Sequence, residues 1–282
     1  MTIKRVGIIG SGIMGSGMCE VAAKSGFDVV LRSRKQDTAD ATLASLEKSL
    51  TRQVEKGRLE QAAADATLAR VTGTADLHAL ADCDLVIESV VEDLAVKQEM
   101  FKELDLVVKE SGILATNTST LPVIEMATQT GRPERVCGVH FFNPAPMMKL
   151  VEVIETLVSS EATIAEVTEF ASACGKDPVR VKDRAGFIVN ALLFPYLNNA
   201  VRMLENGTAS REDIDTAMQG GCNFPMGPLA LVDLVGLDTS LAILDALYDE
   251  FRDPNYAAVP LLRRMVTAGH LGRKSGAGFY TY

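Results

Sequence analysis

Up to about Lys182, short apolar runs alternate with longer stretches in which apolar residues recur at helical spacing. The runs at 3–9, 28–32, 69–72, 84–89, 112–116, 135–141 and 149–155 predict strands, and 14–25, 37–56, 94–108 and 121–130 predict helices. Such alternation builds a mostly parallel sheet with helices on both faces. Runs such as Asp84-Leu85-Val86-Ile87-Glu88 lack period-two polarity, as strands buried on both faces do. The stretch 37–56 is longer than a crossover helix needs to be and is expected to project from the sheet. After Lys182 the strand pattern stops. Residues 186–206, 210–219, 226–235, 237–251 and 258–268 read as helices, separated by Gly207, Gly220-Gly221, Gly236 and Asp253-Pro254. Ser210 followed by Asp213 forms a near capping box. The stretch 186–206 carries Phe187, Ile188, Val189, Leu192, Leu193, Phe194 and Leu197 around much of its circumference, so it is buried in its own domain or against another subunit. The expected organisation is an α/β domain at 1–184 followed by an all-α domain at 185–282.

The length of 282 residues agrees with two domains, and 47% hydrophobic with 23% charged residues suits a large soluble core. No apolar run reaches the ~18–20 residues that span a bilayer. The chain enters its first strand at once, which leaves no room for a targeting peptide, so a cytoplasmic location without membrane attachment is expected. Cys19, Cys83, Cys137, Cys174 and Cys222 are scattered without a CxxC pair, the usage of buried cytoplasmic thiols. His78, His140 and His270 are too far apart to suggest a metal cluster, and no metal is expected. The net charge of −9 argues against nucleic acid and requires a local basic patch for any anionic substrate. Lys48, Arg52 and Lys56 recur every four residues and share a helix face; taken alone, an ordinary solvated face is the better explanation.

The most specific motif follows the first run: Gly10-Ser11-Gly12-Ile13-Met14-Gly15, then a helical stretch, then the second strand Asp28–Arg32. In a Rossmann-type fold the first glycine permits the tight turn, the second lets the backbone approach a pyrophosphate, and the third packs helix against strand. Orphan N–H groups at the helix start face the phosphates. Glycines that merely turn a βα loop are the plain alternative.

Four further segments place polar residues in apolar surroundings. Ala115-Thr116-Asn117-Thr118-Ser119-Thr120 follows a strand where α/β sheets bind ligands, and would serve as well to cap a helix. His140 ends an apolar strand beside Phe141, Phe142 and Asn143; it is either a satisfied core residue or an acid/base that moves the proton accompanying a hydride. Glu152 lies within Leu150-Val151-Glu152-Val153-Ile154. A carboxylate there is costly unless paired, and it either orients a histidine or faces water from an edge strand. Asn190 is an amide on a greasy helix, where it needs a partner, a substrate carbonyl or a neighbouring helix.

Taken together with Val91-Glu92, Pro225-Met226-Gly227-Pro228 and Leu271-Gly272-Arg273-Lys274-Ser275-Gly276, these segments resemble the 3-hydroxyacyl-CoA dehydrogenase family over essentially the whole chain, in particular its single-function 3-hydroxybutyryl-CoA members. The resemblance implies hydride transfer between a nicotinamide dinucleotide and C3 of a short-chain acyl-CoA. It implies that His140 is the general acid/base, that Glu152 pairs with it, and that Ser119 and Asn190 hydrogen-bond substrate oxygens. Gly10, Gly12, Ile13, Met14, Gly15, Glu92, Lys97, Asn117 and Asn143 fall at cofactor-contacting positions. Lys48, Arg52 and Lys56, with Ser119, would meet the CoA substrate, and the helical domain would pair two subunits into a homodimer. The chain departs from the family at the end of the second strand. Where an NAD-selective fold places Asp or Glu, it reads Ser33-Arg34-Lys35. The family default is NAD(H); this substitution leans towards NADP(H), unless Asp37 meets the ribose from the next turn. Two other readings are a dehydrogenase of a free hydroxy acid or sugar acid, and a non-catalytic dinucleotide-binding sensor.

Overall fold

A computed structural model describes residues 3–282, so the first two residues of the expected 1–184 domain lie outside the described residues. The chain forms two compact units, one ending at Asp183 and one running from Arg184 to Tyr282.

The first unit is an eight-stranded sheet with helices, in the strand order β3-β2-β1-β4-β5-β6-β7-β8. Its elements in chain order are β1 (Arg5–Ile9), α1 (Ile13–Lys24), β2 (Asp28–Arg32), α2 (Gln36–Glu55), α3 (Gln61–Ala69), β3 (Val71–Thr74), β4 (Leu85–Glu88), α4 (Leu94–Val107), β5 (Ile113–Thr116), α5 (Val123–Ala127), β6 (Val136–Phe141), β7 (Leu150–Glu155), α6 (Glu161–Ala173) and β8 (Asp177–Lys182). The first six strands are parallel, β7 runs antiparallel to β6, and β8 is parallel to β7. Central strands β4, β5 and β6 are buried along their whole length, which is why their sequences are continuous apolar runs. The helices begin where side chains can answer orphan N–H groups: Asp93 caps α4 through the Val96 N–H, and Ser160 caps α6 through the Thr163 N–H. In α2, Ala39, Thr42, Leu46 and Leu50 form the buried face, and the basic positions lie off it.

Four elements of this unit depart from the sequence-based expectation. Helix α3 was not expected, because its Ala-rich sequence offers no large apolar stripe. Helix α6 and strand β8 were also unexpected. β8 begins Asp177-Pro178 and is mostly exposed, an edge strand without an apolar signature. The helix expected over 121–130 is cut to five residues because Pro122 starts it late and a turn follows Thr128.

The second unit is helical: α7 (Val189–Glu205), α8 (Arg211–Cys222), α9 (Pro228–Val235), α10 (Leu237–Phe251) and α11 (Pro260–Thr267). Phe194, Leu197, Val201, Leu229, Val232, Leu237, Leu244, Leu247 and Leu262 build its core. Ser210 caps α8 by accepting from the Asp213 N–H. α7 begins later than expected, since Gly186 and Phe187 take positive φ and break the helix ahead of it. It buries Asn190, Phe194, Leu197, Asn198 and Val201 but leaves Leu192 exposed to 72%. Two buried carboxylates tie the unit together. Asp233 accepts from the Phe279 and Tyr280 N–H groups and the Tyr282 hydroxyl; Asp215 accepts from the Leu229 and Ala230 N–H groups and the Tyr280 hydroxyl.

Cys19, Cys83, Cys137 and Cys174 are buried and Cys222 is exposed. Burial pushes the Cys19, Cys137 and Cys174 thiols up to about 12 and Cys83 to about 11, so these four pack rather than react. Among the described residues no helix is long and apolar enough to cross a membrane, and no group of three or more His, Cys, Asp or Glu residues is placed to hold a metal ion.

Candidate active site

The polar residues of the first unit converge at the carboxyl ends of β1, β4, β5 and β6, outside which ligands of open α/β sheets bind. At the end of β1, Gly10 has φ +106°, and a Cβ there would strike the Ser89 carbonyl; a Cβ on Gly15 would strike the Gly10 carbonyl. Both positions therefore demand glycine. Gly12 differs: a Cβ there would meet no atom within 4 Å. Among the described residues nothing requires Gly12 to be small, so its bareness leaves room for something else. Gly12 also N-caps α1 without a side-chain hydrogen bond, which leaves the first-turn N–H groups for an anion. These features fit a pyrophosphate. Ile13 is exposed and Met14 half-buried at the same turn.

His140 and Glu152 are direct cross-strand partners in the β6/β7 ladder. Both are buried, and Glu152 Oε2 lies 2.8 Å from His140 Nδ1. The carboxylate accepts the Nδ1 proton, which fixes the tautomer and leaves the lone pair on Nε2. Ser119 Oγ stands 3.1 Å from Nε2, and the Phe142 ring packs 4.5 Å from the imidazole, centroid to centroid. Asn117 Oδ1 accepts from the Phe141 N–H at 2.8 Å, tying the loop after β5 to the histidine strand.

Behind Ser119 runs a charged network. Glu92 Oε1 accepts from the Ser119 N–H at 2.9 Å and from the Thr118 hydroxyl at 2.5 Å. Lys97 Nζ lies 3.3 Å from Glu92 Oε2 and 2.7 Å from Glu88 Oε1. Glu88 also accepts from the Thr116 hydroxyl at 2.7 Å and the Val90 N–H at 2.6 Å. Every lone pair of this buried carboxylate faces a donor, the condition for keeping it charged away from water. Sequence reasoning gave Glu88 no role. Its one signal was a carboxylate closing an apolar strand, as in the run around Glu152.

Lys48, Arg52 and Lys56 on α2 and its C-cap line a cavity of ≈ 270 Å³ with Ser45, Ser49, Gln53 and Arg58. Arg58 adds a fourth cation that helical spacing could not reveal. Ser33 is buried, its hydroxyl 3.0 Å from Ser11 Oγ, while Arg34 and Lys35 beside it are exposed. Asn143 is exposed on the loop after β6, and Asn190 is buried in the first turn of α7, in the second unit.

Residues 5–184 match the family model described as 3-hydroxyacyl-CoA dehydrogenase, NAD binding domain, and residues 186–282 match that of its C-terminal domain. The chain is 51% identical over 282 residues to a 3-hydroxybutyryl-CoA dehydrogenase of Mycobacterium tuberculosis, with 99% of each chain covered. It is 43% identical over 287 residues to the human mitochondrial hydroxyacyl-coenzyme A dehydrogenase, covering 99% of this chain and 91% of that one. The crystal structure of the (S)-3-hydroxybutyryl-CoA dehydrogenase of Ralstonia eutropha superposes with a TM-score of 0.97 at 42% identity and 99% coverage of each chain. With both family domains matched in order across nearly the whole sequence, the chain belongs to the 3-hydroxyacyl-CoA dehydrogenase family and carries that family's NAD-binding domain.

Proposed function

We propose that this chain is a 3-hydroxybutyryl-CoA dehydrogenase, interconverting short-chain (S)-3-hydroxyacyl-CoA and 3-oxoacyl-CoA. The bound nicotinamide dinucleotide supplies or accepts the hydride at C3. In oxidation, His140 Nε2 takes the proton of the C3 hydroxyl; in reduction the imidazolium returns it to the forming alkoxide. Glu152 holds the ring in the required tautomer and stabilises the imidazolium. The Ser119 hydroxyl sits beside Nε2, where it hydrogen-bonds the same substrate oxygen. Asn190 is assigned a substrate-oxygen contact by the family resemblance alone. Gly10, Gly12, Ile13, Met14, Gly15, Glu92, Lys97, Asn117 and Asn143 would hold the cofactor, and Lys48, Arg52 and Lys56 would receive the CoA phosphates. The observation that carries this reading is the Glu152–His140–Ser119 line at 2.8 and 3.1 Å, its first two members buried, an acid/base with its orienting carboxylate at a strand end. Replacing His140 by Ala should lower the rate of acetoacetyl-CoA reduction by ~10²–10⁴. Near-normal turnover in that variant refutes the assignment.

The finer cofactor choice proposed is NADP(H). Ser33 is only 6% exposed and brings no carboxylate to repel a 2′-phosphate, while Arg34 and Lys35 supply positive charge beside it. Initial rates with NADH and NADPH decide the point, and a large advantage for NADH removes it. A homodimer through the helical unit is supported by apolar side chains that α7 and the residue before it leave exposed, Ile188, Leu192 and Met203; a monomeric mass by light scattering excludes it. The same reading places the enzyme in the cytoplasm, where its cysteines remain thiols.

A further inference from the structure

Lys176 has no part in the site described so far. It lies in the turn between α6 and β8, and its residue is 8% exposed. Its ammonium donates to the Ala145 carbonyl at 2.6 Å and the Met148 carbonyl at 2.8 Å. Those carbonyls belong to the loop joining β6 to β7, which leaves the sheet just after His140 and carries Asn143. Apart from Ala145, residues 143–149 of this loop are exposed, so they gain little from apolar burial. Desolvation by burial lowers the Lys176 pKa, and a charge is kept there at a cost that the two carbonyl dipoles offset. The loop is braced on a second side by α1. A Cβ on Gly17 would lie 3.1 Å from the Ala145 Cβ and 3.3 Å from the Pro146 Cδ, closer than ordinary van der Waals contact. Ala145 is thus held between the ammonium and the helix that starts at the glycine turn.

We propose that Lys176 is a positioning residue for the dinucleotide: its ammonium clasps the β6–β7 loop against α1 and so fixes Asn143 for the cofactor. The proposal rests on the assignment of Asn143 to the cofactor. The effect of Lys176 passes through the loop backbone that its ammonium holds. Loosening the loop should therefore act on cofactor binding and leave the His140–Glu152 pair, held by the β6/β7 ladder, in register.

The test compares three variants of the full chain, with NADH or NADPH, whichever the wild type uses better, and acetoacetyl-CoA as probes. Lys176→Met keeps the side-chain length and removes the donors. It should weaken cofactor binding, read by nucleotide fluorescence and by KM, by roughly tenfold, equivalent to ~1.4 kcal/mol. The KM for acetoacetyl-CoA and the kcat at saturating cofactor should stay within about twofold. Gly17→Val pushes on the loop from the α1 side with Lys176 intact and should give the same split; it carries the test if Lys176→Met does not fold. Unchanged cofactor affinity, or equal loss in both KM values and kcat, overturns the clasp. Asn143→Ala separates the two ideas. If it weakens cofactor binding while Lys176→Met and Gly17→Val do not, the clasp is wrong and the Asn143 assignment stands. If Asn143→Ala leaves binding unchanged, that assignment fails and the clasp's stated purpose falls with it.

Discussion

Glu88 is the most demanding test of how the site is held. It is fully buried, and its carboxylate takes two short contacts from Lys97 Nζ, at 2.7 and 3.0 Å, besides those from Thr116 and Val90. Lys97 is 1% exposed, and its second carboxylate, Glu92, lies farther off at 3.3 Å with a side chain 41% exposed. Glu88→Gln keeps the size and an accepting oxygen but leaves the ammonium buried against one half-solvated counter-charge. Removing one member of a buried pair costs ~3–5 kcal/mol; the surviving Glu92 contact puts this case at the lower end, about 3 kcal/mol. Glu88→Gln combined with Lys97→Met removes the ammonium that the amide would strand and keeps an accepting oxygen for Thr116 and Val90, so the double variant should recover most of that loss. The chain contains no tryptophan, so urea unfolding is best followed by far-ultraviolet circular dichroism, with the coupling taken from the double-mutant cycle. A cost below ~1 kcal/mol for Glu88→Gln, or a double variant as unstable as the sum of the singles, refutes the reasoning.

Three further outcomes are expected. Ser33→Asp should move the NADPH-to-NADH ratio of kcat/KM towards NADH by charge repulsion, and an unmoved ratio means residue 33 does not read the ribose. Hydrogen bonds from Arg180 and Lys182 hold the Glu155 carboxyl down from its ordinary 4.5 to about 2. Its contribution to stability is therefore intact above about pH 4.5 and lost as pH falls towards 2, and Glu155→Gln should flatten the acid limb of the melting-temperature profile over that window. Asp233→Ala strands the buried Phe279 N–H, the half-buried Tyr280 N–H and the Tyr282 hydroxyl of the C-terminal segment, at ~1–3 kcal/mol for a buried donor left without a partner. Limited proteolysis should then cut after residue 275 far sooner than in the wild type, and equal cutting rates count against the anchoring role.

The sheet was legible because its central strands are buried on both faces and must be written as continuous apolar runs, as in Leu85–Glu88. β8 was not, since an exposed edge strand starting Asp177-Pro178 obeys no such constraint. The site was legible wherever a polar residue interrupted an apolar run: His140, Glu152 and Ser119 announced themselves by position, and the structure brings those three together. Glu88 made the same interruption, yet its meaning depends on Lys97 being carried over it by α4. Lys176 was beyond reach of the sequence. Its partners are backbone carbonyls 31 and 28 residues upstream, and a carbonyl leaves no trace in residue identity. Arg58 joined the basic cavity only because the chain turns at Gly57.

The reversal of β7 has a consequence for how the chemistry tolerates change. A histidine and a glutamate brought together by loops would have to search for each other in every open state. Here they are opposite rungs of one ladder, so their approach is settled by main-chain pairing before any ligand arrives. The reorganisation that an acid/base must undergo in solution is thereby completed during folding, and little of it remains for the reaction step. Loops around the sheet are then free to diversify in length and composition without detuning the proton donor proposed at His140.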